Sequence, residues 1–152
     1  MRRTKEDTEK TRSELLNVAV KVFNENGYSN TRLEDVAKAA GVSRGAIYYH
    51  FGSKAEIFKE IVLSNKNQTK DLMSKEIREN NGSIMEGLRR VFVKYLERIE
   101  TNDFFRNVET LLFKTELTGE LHEIEKLFKL EAHDGFCQLV NFIEKGKEDK
   151  SI

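Results

Sequence analysis

Apolar residues recur along this chain at steps of three and four, the interval that lines one face of an α-helix. A first helix is predicted from about Thr8 to Asn26, where Leu15, Leu16, Ala19, Val22 and Phe23 share a face and Gly27 ends the run. Leu33, Val36, Ala37 and Ala40 mark a short second helix, and Ile47 and Phe51 form the buried edge of a third, Arg44 to about Phe51. Ser53 caps a long fourth helix. Its apolar Ile57, Phe58, Ile61 and Val62 give way to the polar run SNKNQTK and then to Leu72, Met73 and Ile77, as expected of a connector between domains. Asn80, Asn81 and Gly82 form a turn. Ser83 then opens a fifth helix whose stripe of Ile84, Leu88, Val91, Phe92, Tyr95, Leu96 and Ile99 is predicted to face a core. A sixth, short and very apolar helix starts near Phe104 and carries Phe105, Val108, Leu111, Leu112 and Phe113. Gly119 interrupts the chain before a last helix with Leu121, Ile124, Leu127, Phe128, Phe136, Leu139, Val140 and Ile143 at helical intervals.

The segment Thr31 to Lys54, TRLEDVAKAAGVSRGAIYYHFGSK, reads as a helix-turn-helix. Thr31 with Glu34 three residues on forms a predicted capping box, so the helix should begin near Arg32. The small Ala37 lets a second helix cross closely. Gly41 accepts the left-handed backbone that reverses the chain, and Ser43 caps the next helix. With Ile47 and Phe51 buried, Arg44, Gly45, Tyr48, Tyr49 and His50 are left to face outward. Two tyrosines, a histidine and an arginine around a glycine suit a large polar partner, and double-stranded DNA fits. Arg44 can make a bidentate contact to guanine O6 and N7, and Gly45 lets the backbone approach the duplex. Tyr48, Tyr49 and His50 can reach phosphates or thymine methyls, and Lys54 adds a charge just beyond. The alternative for the tyrosines is ordinary half-buried packing.

From about Thr8 to Phe58 the chain closely resembles the DNA-binding domain of the TetR family of bacterial transcriptional regulators. The opening RRTKEDTEKTR and the stretch LLFKTELTGEL, Leu111 to Leu121, are similar to the subgroup that represses multidrug efflux pump operons. The resemblance implies an all-helical homodimer: residues 1–54 as a three-helix DNA-binding domain with an N-terminal arm of about eight residues, and residues 55–152 as a helical ligand-binding and dimerisation domain. By matching positions it implies DNA contacts from Thr31, Ser43, Arg44, Gly45, Tyr48, Tyr49, His50 and Lys54. It also implies a small apolar or aromatic effector that releases DNA. Family members usually continue for two further helices that pair the subunits and wall part of the pocket, and this chain is expected to lack them. A dimer is still expected, through the apolar residues of the sixth and last helices or another surface. The competing reading is a shortened protein-interaction module that pairs with a full-length relative and interferes with it.

For the effector, Phe92, Leu96, Leu112 and Phe113 are candidate pocket residues from their apolar character, and the subgroup match adds weight to Phe113 and suggests Glu109 as a polar wall. Each can equally be a core or surface residue.

Composition changes the picture little. The chain has 152 residues, 38% of them apolar, and no proline, in keeping with uninterrupted helices. It shows no membrane-length apolar run and no signal-peptide core, so a cytoplasmic protein is expected. The formal charge of zero divides unevenly: residues 1–54 carry 10 Lys and Arg against 7 Asp and Glu, and residues 55–152 carry 16 against 19. That asymmetry favours phosphate contacts by a few groups, with Arg2, Arg3, Lys5, Lys10 and Arg12 as either an accessory arm or a solvated tail. The single cysteine, Cys137, makes no internal disulfide. His133 and Cys137 stand four apart without further ligands nearby, so a structural role is expected over a metal site. His122 is isolated and expected to be solvated. No catalytic motif, metal site or cofactor signature is found, and no enzyme is expected.

Overall fold

The computed structural model describes residues 5–78 and 84–130, together with positions 140, 143, 144 and 147. Among the described residues every regular element is helical: α1 (Lys5–Asn26), α2 (Leu33–Ala39), α3 (Arg44–Phe51), α4 (Lys54–Arg78), α5 (Ile84–Thr101) and α6 (Asp103–Lys114). A 3-10 turn, Gly119–Leu121, leads into α7, helical from residue 122 through 130. The turn expected at Asn80 to Gly82 with its cap Ser83, the arm residues Arg2 and Arg3, and the His133–Cys137 pair lie outside the described residues. So do the side chains of Lys5, Leu72, Met73, Ile77, Ile84, Phe136 and Leu139.

By packing, the chain divides into two compact units: Met1–Asn65 with Asp103–Glu116, and Lys66–Asn102 with Leu117–Ile152. None of the three chain boundaries falls at residue 54, where the motif ends, because the first half of α4 and all of α6 belong to the unit that holds α1 to α3.

α1 is the centre of the first unit. Leu15, Leu16, Ala19, Val20, Val22 and Phe23 are all buried, a sector wider than one stripe because neighbours cover the helix on several sides. Phe23, Tyr28 and Phe58 form a ring cluster with centroids 5.4, 6.1 and 4.9 Å apart, in tilted and edge-on arrangements that favour aromatic pairs. Ile57, Phe58, Ile61 and Val62 bring in the first half of α4, and Phe105, Val108 and Leu111 bring in α6. Each such side chain contributes about 1.5–3 kcal/mol of burial. Two polar bonds set the position of α6. Asn24 Nδ2 donates to the Asn107 carbonyl at 2.8 Å, and the buried Asn65 donates through Nδ2 to Glu109 Oε1 at 2.8 Å.

In the second unit α5 buries Gly87 and Val91 and half-buries Leu88, Tyr95 and Ile99. Leu121 and Ile124 are buried after the 3-10 turn, and the Lys66 ammonium lies 5.1 Å from the centroid of the Phe128 ring. The stripe predicted for α5 faces the core only in part: Phe92 is 66% and Leu96 62% exposed. They stand one residue beyond Val91 and Tyr95, about 100° around the helix, so the apolar sector is broader than the face that packs. His122 is exposed but not isolated, since its Nδ1 lies 2.9 Å from Glu125 Oε2.

Candidate nucleic-acid interface

Local capping builds the α2–turn–α3 motif, one residue later than predicted. Arg32 is the cap of α2, its amide donating to Asp35 Oδ2 at 2.8 Å while the Asp35 amide donates to the Arg32 carbonyl at 3.0 Å. The expected Thr31–Glu34 capping box is not formed. Thr31 is instead buried, its hydroxyl donating to the Gly27 carbonyl at 2.8 Å and so closing the end of α1. With that hydroxyl taken, Asp35 supplies the carboxylate and Glu34 is released for another role.

Gly41 turns the chain at φ 67°, a conformation that favours glycine, and the Val42 amide donates to the Ala37 carbonyl at 3.0 Å. Ser43 Oγ then accepts from the Ala46 amide at 3.2 Å and opens α3. Ile47 and Phe51 are buried on its inner edge. The far end of α3 is held from outside the motif: the Arg12 guanidinium lies 4.6 Å from the Phe51 ring centroid, donates to the His50 carbonyl and forms an ion pair with Glu60 of α4. Arg12 therefore does not belong to the accessory arm in which its sequence position placed it. It is a half-buried residue of α1 whose charge stays inside the fold.

The outer face of α3 carries Ser43, Arg44, Gly45, Tyr48 and Tyr49, all exposed, with Tyr49 at 83%. His50 is half-buried, its ring edge-on to Tyr49 at 5.4 Å. An added Cβ on Gly45 would meet only Ser43 Oγ at 3.9 Å, an ordinary contact, so internal packing does not demand glycine there. Arg44 and Tyr48 are already in contact with a partner. Glu34 Oε1 lies 3.2 Å from Arg44 Nε and accepts from the Tyr48 hydroxyl at 3.1 Å. The Glu34 carboxyl is held below the usual carboxylate range by its own backbone amide, then by Tyr48, with Arg44 and Arg32 adding to the effect.

Lys54 is engaged as well, donating through Nζ to the Tyr28 carbonyl at 2.9 Å, 4.2 Å from the Tyr28 ring centroid. Beside it Ser53 Oγ accepts from the Glu56 amide and caps α4. An open cleft of about 310 Å³ separates Thr31–Glu34 from Tyr48 and Gly52–Lys54. Of the eight residues implicated from sequence, five thus lie on one exposed face, His50 flanks it, Lys54 lies at the cleft and Thr31 is interior. Glu34, Arg12 and Tyr28 were missed as site-shaping residues. Their partners are 14, 48 and 26 positions away, beyond the reach of any helical interval.

The effector candidates fall in different units. Glu109, Leu112 and Phe113 belong to α6 in the first, where Glu109 accepts from Asn65, Leu112 is half-buried and Phe113 is 95% exposed. Phe92 and Leu96 belong to the second. No helix of the described residues is long and apolar enough to cross a membrane.

Residues 15–61 match the model of bacterial regulatory proteins, tetR family. The chain is similar to the HTH-type transcriptional regulator AcrR of Shigella flexneri, with 34% identity over 150 residues that cover 96% of this chain and 70% of that one. Among solved structures it resembles the Pseudomonas aeruginosa repressor MexZ, with a TM-score of 0.79 and 26% identity over 95% of this chain and 70% of that one. It also resembles NalD, described as the secondary repressor of a multidrug efflux pump in the same organism, with a TM-score of 0.68 and 32% identity over 93% and 68% of the two chains.

Proposed function

The chain belongs to the TetR family of bacterial regulatory proteins, and on that premise we propose that it is a ligand-responsive repressor that binds a palindromic DNA operator as a homodimer in the cytoplasm. The carrying observation is the outer face of α3, where Ser43, Arg44, Gly45, Tyr48 and Tyr49 stand exposed on a helix whose inner edge is buried. Arg44 reads a guanine edge. The tyrosines and Ser43 bind phosphate, with His50 and Lys54 at the margins and Thr31 holding the loop that precedes α2. A single motif covers little DNA, whereas two related by a dyad read half-sites about one helical turn apart.

The regulated operon is proposed to encode an efflux pump, in keeping with what NalD is described as repressing. The effector is a small apolar or aromatic molecule, with Phe92, Leu96, Glu109, Leu112 and Phe113 as the residues to test. Release follows as a population shift: a ligand that prefers the non-binding conformation by about 2 kcal/mol lowers operator affinity some thirtyfold. The interfering-module alternative is not favoured, because the relatives are themselves named as regulators.

The test is selection of duplexes from a random pool, followed by sedimentation of the chain with the selected DNA. A dimer on a palindrome, displaced by an aromatic drug, is the expected result. A monomer that selects nothing overturns the repressor reading, and drugs that leave the affinity unchanged overturn sensing of those compounds.

A further inference from the structure

An acidic side chain on a surface that meets phosphates needs a reason, since it repels every duplex alike. Glu34 is such a residue. It is the polar side chain of α2 that touches the outer face of α3, and a single oxygen, Oε1, serves both Arg44 Nε and the Tyr48 hydroxyl. The Arg44 guanidinium carbon lies 5.4 Å from the centroid of the Tyr48 ring, so the three side chains form one cluster drawn from two helices. Glu34 approaches Arg44 at Nε. The two terminal amino groups remain as the end-on fork that matches guanine O6 and N7.

We infer that Glu34 is a specificity-determining positioning residue, which holds Arg44 and Tyr48 so that the arginine fork is presented to a guanine of the bound duplex. The inference rests on the DNA-binding reading above and adds a residue to it. The physical logic is a difference of two effects. Repulsion between the Glu34 carboxylate and DNA weakens binding to all sequences by the same factor and fades with salt. Ordering the guanidinium favours only those sequences in which a base accepts the fork, because elsewhere the ordered group gains nothing. A long, flexible side chain that is 74% exposed would otherwise sample many rotamers and pair with any nearby phosphate. The ion pair itself contributes little to folding at such exposure, so the effect belongs to the complex.

The experiment uses the full chain and three duplexes: the one it selects, the same duplex with the guanine read by Arg44 replaced, and a random one. That guanine is located by comparison with Arg44→Ala. Affinities are measured at low and high salt for the wild type, Glu34→Gln, Glu34→Ala, Arg44→Ala and the Glu34→Gln/Arg44→Ala double variant. Glutamine keeps the size of the side chain and an acceptor for Tyr48, and a melting curve for each variant checks folding.

Glu34→Gln is expected to bind the random duplex about threefold more tightly at low salt. It should lower the preference for the guanine-bearing duplex by about tenfold, within the range of one bidentate base contact. In the Arg44→Ala background the guanine preference should not change further. Equal tightening on all three duplexes overturns the inference, since Glu34 would then act only as a charge. A loss of preference that persists without Arg44 overturns it too. A wild type that prefers no duplex overturns the repressor reading itself, whereas a wild-type preference untouched by Glu34→Gln overturns only this inference.

Discussion

Arg44, Gly45 and Lys54 carry three different tests of the proposed DNA contact. Arg44 is exposed and oriented by Glu34, so Arg44→Ala should cost about 1–3 kcal/mol on the selected duplex and relax preference at one base position. Equal losses on selected and random DNA, measured by anisotropy, would contradict base reading. Gly45 meets no internal obstacle at the Cβ position, so Gly45→Ala should leave the melting temperature unchanged or raise stability by up to about 1 kcal/mol. The same variant should weaken the complex, because a methyl group stands between α3 and the duplex; unimpaired binding would show that the backbone does not approach closely. Lys54 is tied to the carbonyl and ring of Tyr28. Lys54→Ala is therefore expected to do two things: lower the salt slope by about one, and lose about 1 kcal/mol of stability with its hydrogen bond. A lowered melting point with an unchanged salt slope would make Lys54 structural alone.

At the scale of elements, α3 is an eight-residue helix that cannot be stable alone. Its geometry is borrowed from the Ser43 cap at one end and from Arg12, with its Glu60 partner, at the other. In the same unit the Phe23–Tyr28–Phe58 cluster joins α1 to α4, and the Asn24 and Asn65 bonds tie these two helices to α6. Phe58 is fully buried at that junction, so Phe58→Ala should cost about 3–5 kcal/mol. Because Tyr28 also receives Lys54, the loss should reach the α3 face, and chemical denaturation with parallel DNA titration would follow both. Binding that survives at temperatures where the variant is still folded would show the ring cluster and the outer face of α3 to be independent.

At the scale of the whole molecule, the exposed apolar residues mark where another surface is expected. Leu130, 61% exposed, lies on the last helix, one of those expected to pair subunits. Burying side chains of this size contributes about 1.5–3 kcal/mol each. Leu130→Ser should therefore raise the dimer dissociation constant by at least about tenfold and leave the melting point of the monomer nearly unchanged. Sedimentation across a concentration series decides it, and an unaltered dimer would move the interface elsewhere.

What the sequence alone determined was local. Gly41 and Ser43 announce the turn and the cap because their effect acts on backbone groups within three residues, and Ile47 with Phe51 announces the buried edge through the helical period itself. The exposed set on α3 follows from that edge, and so does the family resemblance that names it. Capping was legible only to within one residue, since Glu34 and Asp35 can each serve and the choice depended on where the Thr31 hydroxyl went. The tertiary structure decided the rest: that Glu34 meets Arg44 and Tyr48, that Arg12 meets His50 and Glu60, that Lys54 meets Tyr28, and that α6 packs beside α1. These partners lie 10 to 83 positions apart. Helical periodicity says which way a side chain faces on its own helix, but only the packing of one helix on another says what it faces.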